Sequence, residues 1–235
     1  MVSLAAGAAG GSEGVIFTPI DMPHREAYQL LIGAIMPRPI AWVSTVSATG
    51  QRNLAPFSFF TVVCPEPMTI CFSPSRRHDG SKKDTLRNIE ETGEFVVNIV
   101  SESLAEQMNL TAADLPPDGD EFSFAHLDAS PSDVVKPQRV ADAKVAYECR
   151  LDQVVHVGGP KDGAGALVIG TVMRVYVADE VWTGSRIDTD RLAPIGRCAG
   201  NEYVTVKERF SIVRPGNPGG PAVPDFRTEP GTLRA

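Results

Sequence analysis

The sequence has no C-x-x-C pair, no G-x-G-x-x-G and no G-K-[ST]. Those absences remove a thioredoxin-like motif, a Rossmann dinucleotide fingerprint and a P-loop. Basic residues are also outnumbered, with 22 Lys and Arg against 29 Asp and Glu and a net charge of -7. A nucleic-acid binder needs a basic face to neutralise phosphates, so that class is disfavoured. The longest apolar run, residues 164–178, is too short for a bilayer span and carries Arg174, which argues against a membrane protein. Cys64, Cys71, Cys149 and Cys198 are scattered, mostly in apolar stretches, and read as reduced thiols of a cytoplasmic protein. His78, His126 and His156 lack metal-ligand spacing, and His24-x-Glu26 has no P-C-x-x-C downstream to complete a deaminase zinc site.

What is present divides into three parts. Residues 1–18 read as a flexible Ala/Gly leader rather than a secretory signal, since no Lys or Arg precedes it. Residues 19–213 read as one elaborated domain, because 235 residues with 43% hydrophobic content can bury a full core. Residues 214–235 hold five prolines and four glycines and read as a loose arm, or one that drapes over a partner subunit.

Within the domain, residues 24–35 space Ala27, Leu30, Leu31 and Ala34 on one helical face, and Pro37 and Pro39 end that helix. Strands are expected at 40–46, 53–58, 61–64, 68–73 and 95–100. A helix is expected at 83–92, opened by a Ser81/Asp84 capping box and stopped by Gly93. Ser103 and Glu106 suggest a second capping box. Residues 115–138, rich in Pro, Asp and Ser, read as a long surface excursion. The clearest strand is 145–151, with Val145, Tyr147, Cys149 and Leu151 pointing one way and Lys144, Glu148, Arg150 and Asp152 the other. It runs on to Val157, turns through Gly158–Gly163 and pairs with 166–177. Neighbouring strands with inserted helices favour a mainly β, antiparallel barrel over a doubly wound parallel sheet.

Charge placement is the strongest chemical signal. Arg76, Arg77, Lys82, Lys83 and Arg87 face only Asp79 and Asp84 within residues 73–87, at the start of the second helix. Free amides and the helix dipole there favour an anion, and Thr85 adds a hydroxyl donor; a solvated basic loop is the alternative reading. In Asn53-Leu54-Ala55-Pro56-Phe57-Ser58, the proline stiffens a ledge suited to a flat ring, or simply marks an edge strand.

Together, R-P-I-A-W-V-S-T, N-L-A-P-F-S-F-F, S-P-S-R-R, K-D-T-L-R-N-I, G-E-F-V-V-N, D-E-F, A-Y-E-C-R-L and P-I-G-R-C-A-G-N-E-Y resemble the flavin reductase-like family of FMN-binding split barrels, over roughly Pro19 to Pro215. The reductase components of two-component monooxygenases, of the nitrilotriacetate type, look most similar. The resemblance implies a six-stranded antiparallel split barrel with helical insertions. It also implies a homodimer with FMN near the subunit interface, NADH or NADPH as co-substrate, and a possible partner oxygenase. A flavoredoxin-like carrier that holds FMN without releasing it is the alternative within the fold. By the same resemblance, Ser44 and Thr45 line the flavin. Asn53, Leu54, Ala55, Pro56, Phe57 and Ser58 run along the ring with their backbone groups on its polar edge, and Ser73, Arg77, Lys83 and Thr85 hold the phosphate. His156, Arg197 and Tyr203 are candidates for the nicotinamide side or the dimer wall. Cys198-Ala199 stands where the family often has a glycine-containing pair.

Overall fold

Alternating apolar residues between glycine and proline turns build an antiparallel sheet. The computed structural model describes residues 14–116 and 119–221, so the leader and the arm lie mostly outside the described residues. Strands β1 (Arg38–Pro39), β2 (Ala41–Val46), β3 (Arg52–Phe57), β4 (Phe60–Pro65) and β5 (Met68–Phe72) follow helix α1 (His24–Ala34). Next come α2 (Asp84–Thr92), β6 (Glu94–Ile99), α3 (Ala105–Leu110) and α4 (Glu121–Phe124). Short strands β7 (Ala129–Ser130) and β8 (Arg139–Val140) precede the long hairpin of β9 (Val145–Val157) and β10 (Gly165–Val177). Helix α5 (Thr189–Leu192), β11 (Ile195–Arg197) and β12 (Tyr203–Thr205) complete the order.

The main sheet has seven strands in the order β3-β2-β6-β9-β10-β5-β4. It therefore differs from the expected six-stranded barrel: β4 hairpins onto β5 as a further edge strand, and among the described residues β3 and β4 are not joined into a closed barrel. Strands β1, β11 and β12 form a small second sheet.

Strand periodicity divides the core. Ala41 and Val43 of β2 face a cluster containing Phe57, Phe72, Phe95, Leu86 and Ile89, while Trp42 between them faces Leu54, Met108, Phe122 and Ile195. Phe72 sits centrally in the first cluster, its ring 5.2 Å from Phe57 and 5.7 Å from Phe95. Phe95 also explains a glycine: a Cβ at Gly170 would lie 2.3 Å from its ring. Gly93 ends α2 in the left-handed region, φ 73°, with its amide on Ile89 O.

Several expectations are corrected. Helix α1 buries only Ile32, and its stripe of Leu30 and Leu31 is exposed with Tyr28, Ile35 and Met36. The helix is held at its end: the buried Arg38 guanidinium donates to Ile32 O and Ile35 O, where the helix dipole favours a cation. The Tyr28 ring meets Phe59 at 6.4 Å. On the polar side of β9, Glu148 is only 2% exposed, and it accepts from the amides of Asp133 and Val134. Those bonds, with buried Phe122 and Val135, turn the 115–138 excursion into a packed segment. Neither proposed capping box forms: α2 has Lys83 at its N-cap and α3 has Leu104, both without side-chain capping bonds. No helix among the described residues is long and apolar enough to cross a membrane.

Candidate functional site

The turn between β2 and β3 is closed by Ser47 N to Gln51 O at 2.9 Å, with Gly50 at φ 92° supplying the conformation. It leads β3 along the sheet edge, beneath the start of α2. A buried polar knot fastens the two. Asn53 Nδ2 donates to Thr45 Oγ1 (3.1 Å) and Thr85 Oγ1 (2.9 Å), and Asn88 Nδ2 donates to Thr45 Oγ1 (3.1 Å). Together these bonds set the N-terminus of α2 directly over Asn53.

The space above is an open cleft. Gln51, Arg52, Asn53, Ala55 and Pro56 form one wall, Arg77 with the start of α2 a second, and residues 112–116 with Glu121 a third. Its mixed polar and apolar lining suits a polar small-molecule ligand.

The basic island splits in two here. Arg77 donates to Lys82 O and Asp84 Oδ2, each at 2.6 Å; Arg87 also pairs with Asp84, and Lys82 pairs with Glu90. Burial alone would raise the Asp84 carboxyl, but the Arg77 and Arg87 guanidiniums outweigh it and hold it below the usual range. Lys83 is different. It has no carboxylate within ion-pair distance among the described residues, and its Nζ lies 6.0 Å from the Phe57 ring centroid. Its backbone caps a helix whose first amides have no side-chain acceptor. An uncompensated ammonium beside such a helix start attracts an anion.

Of the residues nominated from sequence, Asn53, Ala55, Pro56, Arg77, Lys83 and Thr85 meet at this cleft. Thr45 lies under its floor in the polar knot. Ser44 is buried and donates to Gln138 O at 2.6 Å, away from the cleft. Leu54 and Phe57 bury their side chains in the two core clusters. Ser58 accepts from Arg38 Nε at 3.3 Å, and the Ser73 amide bonds Phe59 O at 2.8 Å; neither residue lines the cleft. His156 pairs with Glu90 at 2.9 Å, and Arg197 lies over the Tyr203 ring, so all three secondary candidates also sit off it.

Sequence reasoning missed Glu121. Its Oε2 accepts from the Leu54 amide at 3.1 Å, which lies on the outer edge of β3. Amides alternate along a strand, so 52, 54 and 56 face outward, and Pro56 has none. Glu121 therefore already holds the amide expected for a ligand's polar edge. The Asp120-Glu121-Phe122 motif was the available signal, but it lay in a stretch read as loop. Burial first, then the charges of Asp120 and Asp84, push the Glu121 carboxyl above its usual range.

Residues 33–188 match the flavin reductase like domain family. A protein of Halalkalibacterium halodurans is 44% identical over 199 residues, covering 84% of this chain and 95% of its own length. Among solved structures, nitrilotriacetate monooxygenase component B from Bacillus cereus is 38% identical with a TM-score of 0.81, covering 86% of this chain and all of its own. The 2-nitrobenzoate 2-nitroreductase of Pseudomonas fluorescens is 28% identical with a TM-score of 0.76, covering 86% and 97%. With the family match spanning well over half its length, this chain belongs to the flavin reductase-like family.

Proposed function

We propose that the protein is an FMN-binding oxidoreductase that reduces FMN with NADH or NADPH and works as a homodimer. Lys83 carries the reading: among the described residues it is the cleft cation with no carboxylate at ion-pair distance, and it sits at the N-cap of α2. A flavin that ends in phosphate supplies the anion such a site favours. The rest of the donor set fits the mononucleotide. Thr85 Oγ1 accepts from Asn53 and keeps its own proton for a phosphate oxygen. Arg77 lies along the same wall, while Ala55 and Pro56 offer a stiff, flat ledge for one ring face.

When bound, FMN supplies the hydride-accepting nitrogen, so the hard chemistry belongs to the cofactor. The protein's tasks are positional. Lys83 and Thr85 anchor one end, the Ala55-Pro56 ledge fixes the ring plane, and the open cleft leaves the opposite face reachable by a nicotinamide. Hydride transfer needs no side-chain general base, and none is assigned.

The exposed stripe of α1 and the bare valines of β4 supply an apolar surface for a second copy. Similarity to a monooxygenase component further suggests a separate oxygenase that receives the reduced flavin.

The test uses purified protein. Colourless protein that oxidises NADH or NADPH only after FMN is added supports the reductase. Firmly yellow protein without nicotinamide turnover identifies a flavoredoxin-like carrier instead. If added flavin keeps its fluorescence unchanged, both readings fall.

A further inference from the structure

Among the described residues three acids line the cleft, and they differ in how their charge is met. Asp84 is bracketed by Arg77 and Arg87, and Asp114 is exposed to water. Glu121 is half-buried, and among the described residues no cation stands within ion-pair distance of it; it accepts a hydrogen bond from the Leu54 amide. It is also fixed in place. Phe122, the next residue, is buried in the second core cluster, and Asp120 caps the short helix while pairing with Arg52.

We propose that Glu121 sets the charge selectivity of the cleft, its carboxylate opposing the anionic end of a ligand seated at Lys83. This rests on the flavin reading above and names a determinant within it. Coulomb repulsion across a partly solvated cleft changes affinity for a charged ligand and leaves a neutral one alone. The preference for FMN over riboflavin is then smaller than Lys83 alone would produce. The surrounding charges are those of Asp84, Asp114 and Asp120 against Arg52, Arg77, Lys83 and Arg87. No histidine lines the cleft among the described residues, which leaves Glu121 as the group there whose charge is most readily lost on mild acidification.

The sign follows from linkage. An anion bound nearby raises the Glu121 carboxyl further, so binding takes up protons and is favoured as pH falls. The ligand's phosphate titrates near pH 6 in the opposite sense, and loss of its second charge likewise shrinks the difference between wild type and a variant without the Glu121 charge.

Glu121→Gln keeps an acceptor oxygen for the Leu54 amide while removing the charge. FMN and riboflavin are titrated against wild type and E121Q from pH 8 to pH 5 by flavin fluorescence, with thermal melts as a folding control. At pH 8, E121Q binds FMN about three- to tenfold tighter than wild type, riboflavin is unchanged, and the FMN advantage shrinks toward pH 5. Equal shifts for both ligands, weaker FMN binding in E121Q, or an advantage independent of pH would each overturn the proposal. If neither flavin binds wild type, the flavin reading itself falls and takes this inference with it.

Discussion

The sheet ends in two edges that are treated in opposite ways. At β3 the outward amide of Leu54 is taken by Glu121, Arg52 pairs with Asp120, and Phe122 packs beneath the Arg52 guanidinium at 5.2 Å. That edge is covered, polar and concave. At β4 the outer strand leaves Val62 and Val63 69% and 50% exposed. An exposed apolar edge strand invites pairing with another chain. One edge has the chemistry of a small-molecule site, the other that of a protein interface, and five strands of the sheet lie between them.

The comparison can be broken first at the covered edge. Phe122→Ala should cost about 3–5 kcal/mol, because a buried ring is lost from the second cluster. Denaturant melts would show the loss, and retention of wild-type stability would mean α4 does not hold the β3 edge. At the bare edge the expected effect is on assembly, not folding. Val62→Asp should shift sedimentation from dimer to monomer with little change in melting temperature; an unchanged dimer would move the interface elsewhere.

A smaller effect tests the Asp120 cap. Burial alone would raise its carboxyl, but the Arg52 pair and the Ser123 and Phe122 bonds outweigh it and hold it low. A carboxylate depressed in the folded state stabilises above its unfolded value, and that contribution fades as pH falls through the folded one. Stability should therefore drop below about pH 4, less so in Asp120→Asn. Parallel acid curves for the two proteins would contradict this.

The sequence was most legible where local rules decide the outcome. The 145–151 strand, the stop at Gly93 and the proline limit on α1 follow from alternation, a left-handed cap and steric exclusion. The basic island was legible as a cluster, but not the division between Arg77, Lys82 and Arg87, which pair with carboxylates, and Lys83 at the cleft, which does not among the described residues. Which cation is left over depends on partners such as Glu90 and Asp84, whose geometry the linear spacing does not resolve. Glu121 was missed because it meets Leu54 across 67 residues, and such contacts leave no local periodicity. Alternation set Glu148 with the charged side of its strand, but cannot foresee that two distant amides would bond it in a buried position. The apolar stripe of α1 was legible as one helical face, but not its exposure. Periodicity identifies a face but not what covers it.

The central claim is that Lys83 grips a phosphate. Titrating FMN and riboflavin against wild type and Lys83→Ala tests it most directly. Charge-assisted bonds of this kind contribute about 1.5–3 kcal/mol, so wild type should prefer FMN by roughly ten- to a hundredfold. The substitution should erase that gap while leaving riboflavin binding intact. Equal losses for the two ligands, or a gap that survives the substitution, would contradict the account.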